Sequence, residues 1–130
     1  MKILRPLSTP LMIACLVAAS GCRSHHEEPQ EDAFQAQAEK AFGEGIRLYE
    51  AGDYAAAEEQ FLTPAIWVED SPLQSQALKL LAFSYCVTGR PNQCRFAFER
   101  ALQIDPHFHL DSTEVGHPLW GPVFDQAARR

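Results

Sequence analysis

Residues 82–98 read AFSYCVTGRPNQCRFAF, and residues 45–61 read GIRLYEAGDYAAAEEQF. Setting Gly89 over Gly52 aligns the two stretches at a constant offset of 37 residues: Ala82 falls on Gly45, Tyr85 on Leu48, Cys94 on Ala57 and Phe98 on Phe61. Each block carries a small residue seven before the turn glycine and a large apolar residue four before it. A small residue follows five after the glycine and an aromatic nine after it. The pattern predicts a helix, a tight glycine turn and a second helix, used twice. Small residues let antiparallel helices approach closely, and the aromatic fills the space beneath them.

Ala101, Asp105 and Pro106 complete the second block, which resembles the tetratricopeptide repeat, a helical hairpin with a period of about 34 residues. The first block departs from that pattern, because Pro64 and Glu69 stand where Ala101 and Pro106 stand in the second. The connection around Thr63 to Ser71 is therefore expected to be irregular, with Glu69-Asp70-Ser71-Pro72 ending one helix and capping the next. Helices are expected near 33–51, 54–67, 72–88 and 91–104. Two repeats are fewer than the three that usually close such a core, so residues 107–130 are expected to cap the open end. Phe108, Leu110, Trp120 and Phe124 are the apolar residues available there, with Pro118 to Phe124 turning into a short last helix. The expected fold class is all-α: two tetratricopeptide-like hairpins over 33–106 and a capping segment over 107–130.

Working towards the amino terminus, Lys2 and Arg5 precede nine consecutive apolar residues, Leu11 to Ala19, followed by Ser20 and Gly21. A spanning helix needs about 20 apolar residues, and here Arg23, His25, His26, Glu27 and Glu28 arrive too early. Residues 1–21 read as a secretory signal peptide. Ala19-Ser20-Gly21-Cys22 resembles the lipobox of bacterial lipoproteins. The resemblance implies cleavage before Cys22 and acylation of its thiol and new amine, palmitate included. The alternative is an ordinary signal peptide with a spare cysteine. Arg23, in place of an inner-membrane-retaining Asp, favours the outer membrane, facing the periplasm. Residues 22–32 then form a lipidated cysteine and polar tether, since Arg23 to Asp32 offers nothing apolar to bury.

The charge balance narrows the partners. The chain has 11 basic and 17 acidic residues, net −6; removing Lys2 and Arg5 with the signal leaves 9 against 17, net −8. Such a chain repels phosphate backbones, so nucleic acid is not an expected partner. The excess is uneven: residues 22–70 hold 3 basic and 12 acidic residues, and residues 71–130 hold 6 and 5. No phosphate loop, nucleophile motif or metal-spaced cysteine set appears, and no catalytic residue, metal or cofactor is expected beyond lipid on Cys22. His107, His109 and His117 with Asp111 and Glu114 offer donor atoms, but in a segment read as packing they are expected to be surface side chains. Cys15 leaves with the signal and Cys22 is acylated, so Cys86 and Cys94 remain as the possible disulfide in an oxidising compartment. The alternative is that both are simply small packing residues.

A narrower resemblance rests on Leu81 to Arg90, Cys94, Phe98, Asp105-Pro106, Phe108, Leu110 and the stretch Gly116 to Phe124. Together with the lipobox these are similar to the small repeat lipoproteins associated with type VI secretion systems, the TssQ family. The resemblance implies a non-enzymatic accessory lipoprotein of the envelope, held at the membrane by its lipid and binding protein components of the secretion machine. A pilotin-like or chaperone-like envelope assembly lipoprotein is the alternative. In tetratricopeptide proteins the first helix of each pair lines a concave face. The matching positions are Phe42, Ile46, Tyr49 and Glu50, then Lys79, Phe83 and Val87. They form the expected protein-binding groove, unless the chain's own Phe108, Leu110, Trp120 or Phe124 fills it.

Overall fold

A computed structural model describes residues 28–68 and 71–129. In chain order these form α1 (Glu28–Glu50), α2 (Tyr54–Phe61), a 3₁₀ turn (Pro64–Trp67), α3 (Pro72–Val87), α4 (Pro91–Ile104) and α5 (Gly121–Ala128). No strand occurs among the described residues. The fold is all-α: α1 pairs with α2, α3 with α4, and α5 packs on α4.

The two hairpins turn by the same chemistry. Gly52 and Gly89 adopt φ of 80° and 78°, the left-handed region that a Cβ disfavours. After α1, the Gly52 amide donates to the Tyr49 carbonyl and the Asp53 amide to the Leu48 carbonyl, both at 3.0 Å. After α3, Gly89 donates to Cys86 at 3.3 Å and Arg90 to Tyr85 at 2.7 Å. These paired bonds satisfy carbonyls that the helix end leaves without partners, the Schellman arrangement. The next helices then start on their own signals. Asp53 Oδ1 accepts from the Ala56 amide at 3.2 Å, Ser71 Oγ accepts from the Leu73 amide at 3.2 Å, and Pro72 and Pro91 open α3 and α4.

Two boundaries differ from the sequence expectation. α1 begins at Glu28, inside the stretch 22–32 read as tether. Pro29 is tolerated in a first helical turn, where its missing N–H has no partner to lose, and Glu31 and Asp32 put carboxylates near the positive end of the helix. Polar composition alone concealed that start. α2, expected to run to residue 67, stops at Phe61, because Pro64 has no amide to continue the ladder. The chain instead turns through Pro64–Trp67. There Trp67 Nε1 donates to the Phe61 carbonyl at 3.1 Å, and Gln74 Nε2 donates to the Ile66 carbonyl at 3.1 Å.

Packing follows the repeat positions. Ala57, Phe61, Ala82, Cys94, Phe98 and Ala101 are fully buried. A Cβ built on Gly45 would stand 2.5 Å from the Phe61 ring, so α1 and α2 approach each other at a position only glycine fits. The second hairpin accommodates Ala82 at the equivalent place. Between the hairpins, the Arg90 guanidinium holds both carboxylate oxygens of Glu58 on α2 and lies 4.7 Å from the centroid of the Tyr85 ring. No local sequence pattern signals this cross-repeat link, because Glu58 and Arg90 lie 32 residues apart.

Candidate functional site

The residues expected to line one groove have separate fates. Phe42 turns inward, its ring 5.8 Å from that of Phe61, and is buried. Ile46, Tyr49 and Val87 are half-buried against the core. The Tyr49 ring meets Tyr54 of α2 edge-on at 5.4 Å, and Glu50 is exposed at the end of α1. On α3, Phe83 keeps 3% of its surface. Lys79 is half-buried and already paired.

What covers α3 is the chain's own tail. Residues 107–120 return across α3, and the Trp120 ring stacks on Phe83 with centroids 4.0 Å apart and planes 19° from parallel. Lys79 Nζ reaches Glu114 at 3.0 Å and Asp111 at 3.9 Å. Glu114 is the hub: its side chain also accepts from the Asp111 amide at 2.9 Å, and its carbonyl accepts from Trp120 Nε1 at 2.9 Å. Behind Trp120, Phe124 of α5 meets Phe98 at 5.1 Å and Phe108 at 6.0 Å. A Cβ on Gly121 would lie 2.8 Å from the Val115 carbonyl oxygen, so the tail's bend onto α5 also requires glycine. The expectation of an open groove at Lys79 and Phe83 is therefore corrected: the tail fills it. Two hairpins leave an apolar face of α3 that the tail covers, and burying a large aromatic is worth about 1.5–3 kcal/mol.

Burial, with the Tyr54 hydroxyl and the Glu114 carboxylate adding negative charge nearby, pushes the Tyr49 phenol up to about 12. Burial also raises Tyr85, reinforced by Glu58 and opposed by Arg90. The hydrogen bond to Glu58 holds Arg90 still more firmly protonated. The tail histidines do not converge. His107 and His109 are exposed, and His109 Nδ1 lies 3.1 Å from the carbonyl oxygen of His107. His117 lies flat on Trp120 with centroids 3.3 Å apart, its Nδ1 accepting from the Leu119 amide at 3.2 Å. No group of three or more His, Cys, Asp or Glu side chains among the described residues is arranged to hold a metal ion. Cys86 and Cys94 are bonded, with Sγ atoms 2.08 Å and Cα atoms 5.3 Å apart, so the disulfide closes the turn between α3 and α4. Cys22 and the signal segment 1–21 lie outside the described residues.

A cleft elsewhere among the described residues remains open. About 460 Å³ of space lies between the first turns of α1 and the start of α3, lined by Glu31, Asp32, Phe34 and Glu39 on one side and Val68 and Leu73 on the other. Its lining combines acidic and apolar side chains. Of its lining, only Glu31 and Asp32 belong to the stretch 22–32; its signal in the sequence is Phe34, an aromatic ahead of the repeat register with acids on both sides.

The geometry of the second hairpin and its tail agrees with what comparison finds. The family model of the tetratricopeptide repeat matches residues 75–108, from the second turn of α3 to the first residues of the tail. No curated protein and no solved structure matches the chain. The chain thus contains a tetratricopeptide repeat, a protein-interaction module, in its second hairpin.

Proposed function

We propose that this chain is a periplasm-facing lipoprotein, anchored in the outer membrane by acyl chains on Cys22, whose repeat domain serves as an accessory protein-binding module of a type VI secretion machine. Residues 1–21 are removed as signal, Cys22 and the residues before Glu28 reach from the lipid to α1, the repeats run to Pro106 and residues 107–130 cap them. The lipid is the only non-protein group in this reading. Several acyl chains on one residue hold a protein stably at a bilayer, since each buried CH₂ contributes about 0.8 kcal/mol. No described helix is long and apolar enough to cross a membrane.

The observation that supports the secretion-system reading is the tail. Gly116 to Phe124, the segment in which the resemblance to that lipoprotein family is most specific, is a built part of the domain, with Trp120 on Phe83 and Phe124 on Phe98. A chaperone that holds exported chains in the concave face needs that face free, and here the tail lies over α3.

Cys22→Ser separates the levels of the proposal. The variant is expected to lose palmitate labelling and outer-membrane sedimentation while its repeat domain folds normally by circular dichroism. Persistent labelling or sedimentation would overturn the lipid anchor. Deleting the gene is expected to lower effector release from a secretion-competent cell, with recovery on re-expression of the wild type but not of Cys22→Ser. Unchanged release would overturn the secretion role.

A further inference from the structure

We propose that the acidic cleft at the start of α1 docks a second copy of this chain, taking the outward ridge Phe96, Arg100 and Ile104 of α4 from the next molecule. The inference is independent of the membrane anchor and of the secretion role.

The cleft exists because α1 overhangs the repeat. At the 37-residue offset between the two blocks, the first residue of α3, Pro72, corresponds to Gln35, whereas α1 starts at Glu28. Residues 28–34 therefore have no counterpart in the second hairpin and extend α1 by about 10 Å at 1.5 Å per residue. A helix end of about two turns has little stability of its own, because helices that short are held by packing of one face. Here that face is only partly covered. Phe34 remains 41% exposed and Val68, across the cleft, 54% exposed.

Glu31, Asp32 and Glu39 line the cleft, and among the described residues no lysine or arginine does. Three carboxylates beside apolar side chains disfavour an acidic or a purely aliphatic occupant. They fit a segment that presents a cation beside an aromatic ring.

The same chain displays such a segment. Phe96, Arg100 and Ile104 stand at i, i+4 and i+8 of α4 and so form one ridge about 12 Å long. Phe96 is 63% exposed, Arg100 is exposed and Ile104 is 39% exposed. Arg100 donates to Gln103 at 2.7 Å and to no carboxylate among the described residues. A ridge of one helix entering the groove between two others is ordinary helix packing. Here it would set Phe96 against Phe34 and Val68, and Arg100 between Asp32 and Glu39. Cleft and ridge share no residue, so the contact is heterologous: it joins copies head to tail and leaves a free cleft at one end and a free ridge at the other.

The experiment uses the full chain in detergent, followed by sedimentation velocity. The wild type is expected to grow in mass with concentration, and added salt to reverse that growth, because the rim charges are solvent-exposed. Asp32→Lys/Glu39→Lys disables the cleft and Phe96→Ala/Arg100→Glu disables the ridge. All four positions are exposed, so both variants should stay folded by circular dichroism, the cleft variant melting slightly lower because Lys replaces the Asp32 carboxylate near the start of α1. Each alone is expected to sediment as one copy, while an equimolar mixture, which retains one working cleft and one working ridge, gives a species of twice that mass and nothing larger. A wild type that stays a single copy at every concentration would overturn the proposal and leave the cleft to the chain's own first residues or to another protein. An association that survives in either variant alone, or a mixture that remains at single-copy mass, would overturn it equally.

Discussion

Tyr49 shows how far one side chain can depart from its role in a pattern. By spacing it belongs to the concave face, yet its ring packs on Tyr54 and its hydroxyl lies in the field of Glu114 from the tail. Burial raises its phenol from the ordinary 10 to about 12. A raised folded-state value means that the native chain holds its proton longer than the unfolded chain does. The corresponding stability is complete below pH 10 and is lost as pH rises through about 12. Stability is therefore expected to fall over that interval, and Tyr49→Phe, which removes the titration, to make the fall shallower. Phenolate absorbance against pH checks the cause: the variant should lose part of the late-titrating signal and keep the part from Tyr85, which burial also raises. Loss of signal near pH 10, with the late-titrating part intact, would mean that Tyr49 titrates as an exposed phenol.

At the scale of the element, the second hairpin is closed twice, by Gly89 in its left-handed turn and by the disulfide across it. Cys86 and Cys94 are eight residues apart, and the chain-entropy relation gives about 2–3 kcal/mol for so short a loop. The first hairpin supplies the control, since Ala57 occupies the position of Cys94 and is equally buried. Cys94→Ala therefore preserves the packing and isolates the bond. The double variant Cys86→Ala/Cys94→Ala is expected to lose about 2–3 kcal/mol in urea unfolding, and reductant to have no further effect on it. Intact mass gives a second check: the wild-type thiols of this pair should resist alkylation until reduced. The first hairpin has no such staple. Its α1–α2 contact depends on Gly45 fitting against Phe61 and on Arg90 reaching Glu58 from the neighbouring hairpin.

For the whole molecule, the tail decides stability. Trp120 covers Phe83, Phe124 seals Phe98, and Glu114 neutralises Lys79. Trp120→Ala is expected to cost about 3–5 kcal/mol, the usual range for removing a buried large aromatic. Phe83→Lys places an unpaired charge under the indole and is expected to unfold the domain outright. Tyr49→Ala, at a half-buried site, is expected to lower the melting temperature by less than either. Thermal melts of the three variants rank them. A Phe83→Lys chain that melts like the wild type would show that the tail is not seated on α3 in solution.

The repeat was legible in the sequence because its signals are local: a small residue, a glycine and an aromatic at fixed spacing specify a hairpin wherever they occur. The capping serine and proline before α3 and the glycine ends of α1 and α3 are of the same kind, each set by bonds within a few residues. The sequence alone also determined which residues needed cover, since two hairpins cannot bury α3 and the tail after Pro106 held the available aromatics. Whether Phe83 and Lys79 faced a partner or that tail was a different matter. It depends on the path of residues 107–120, which is set by contacts such as Lys79 to Glu114 across 35 residues of chain and by the bend at Gly121. The start of α1 and the acidic cleft beside it belong with these, because a polar stretch reads alike as tether or as helix until a packed neighbour fixes it. Periodicity encodes the elements; the free energy of burying one face against another, summed over residues far apart in sequence, decides which surfaces remain.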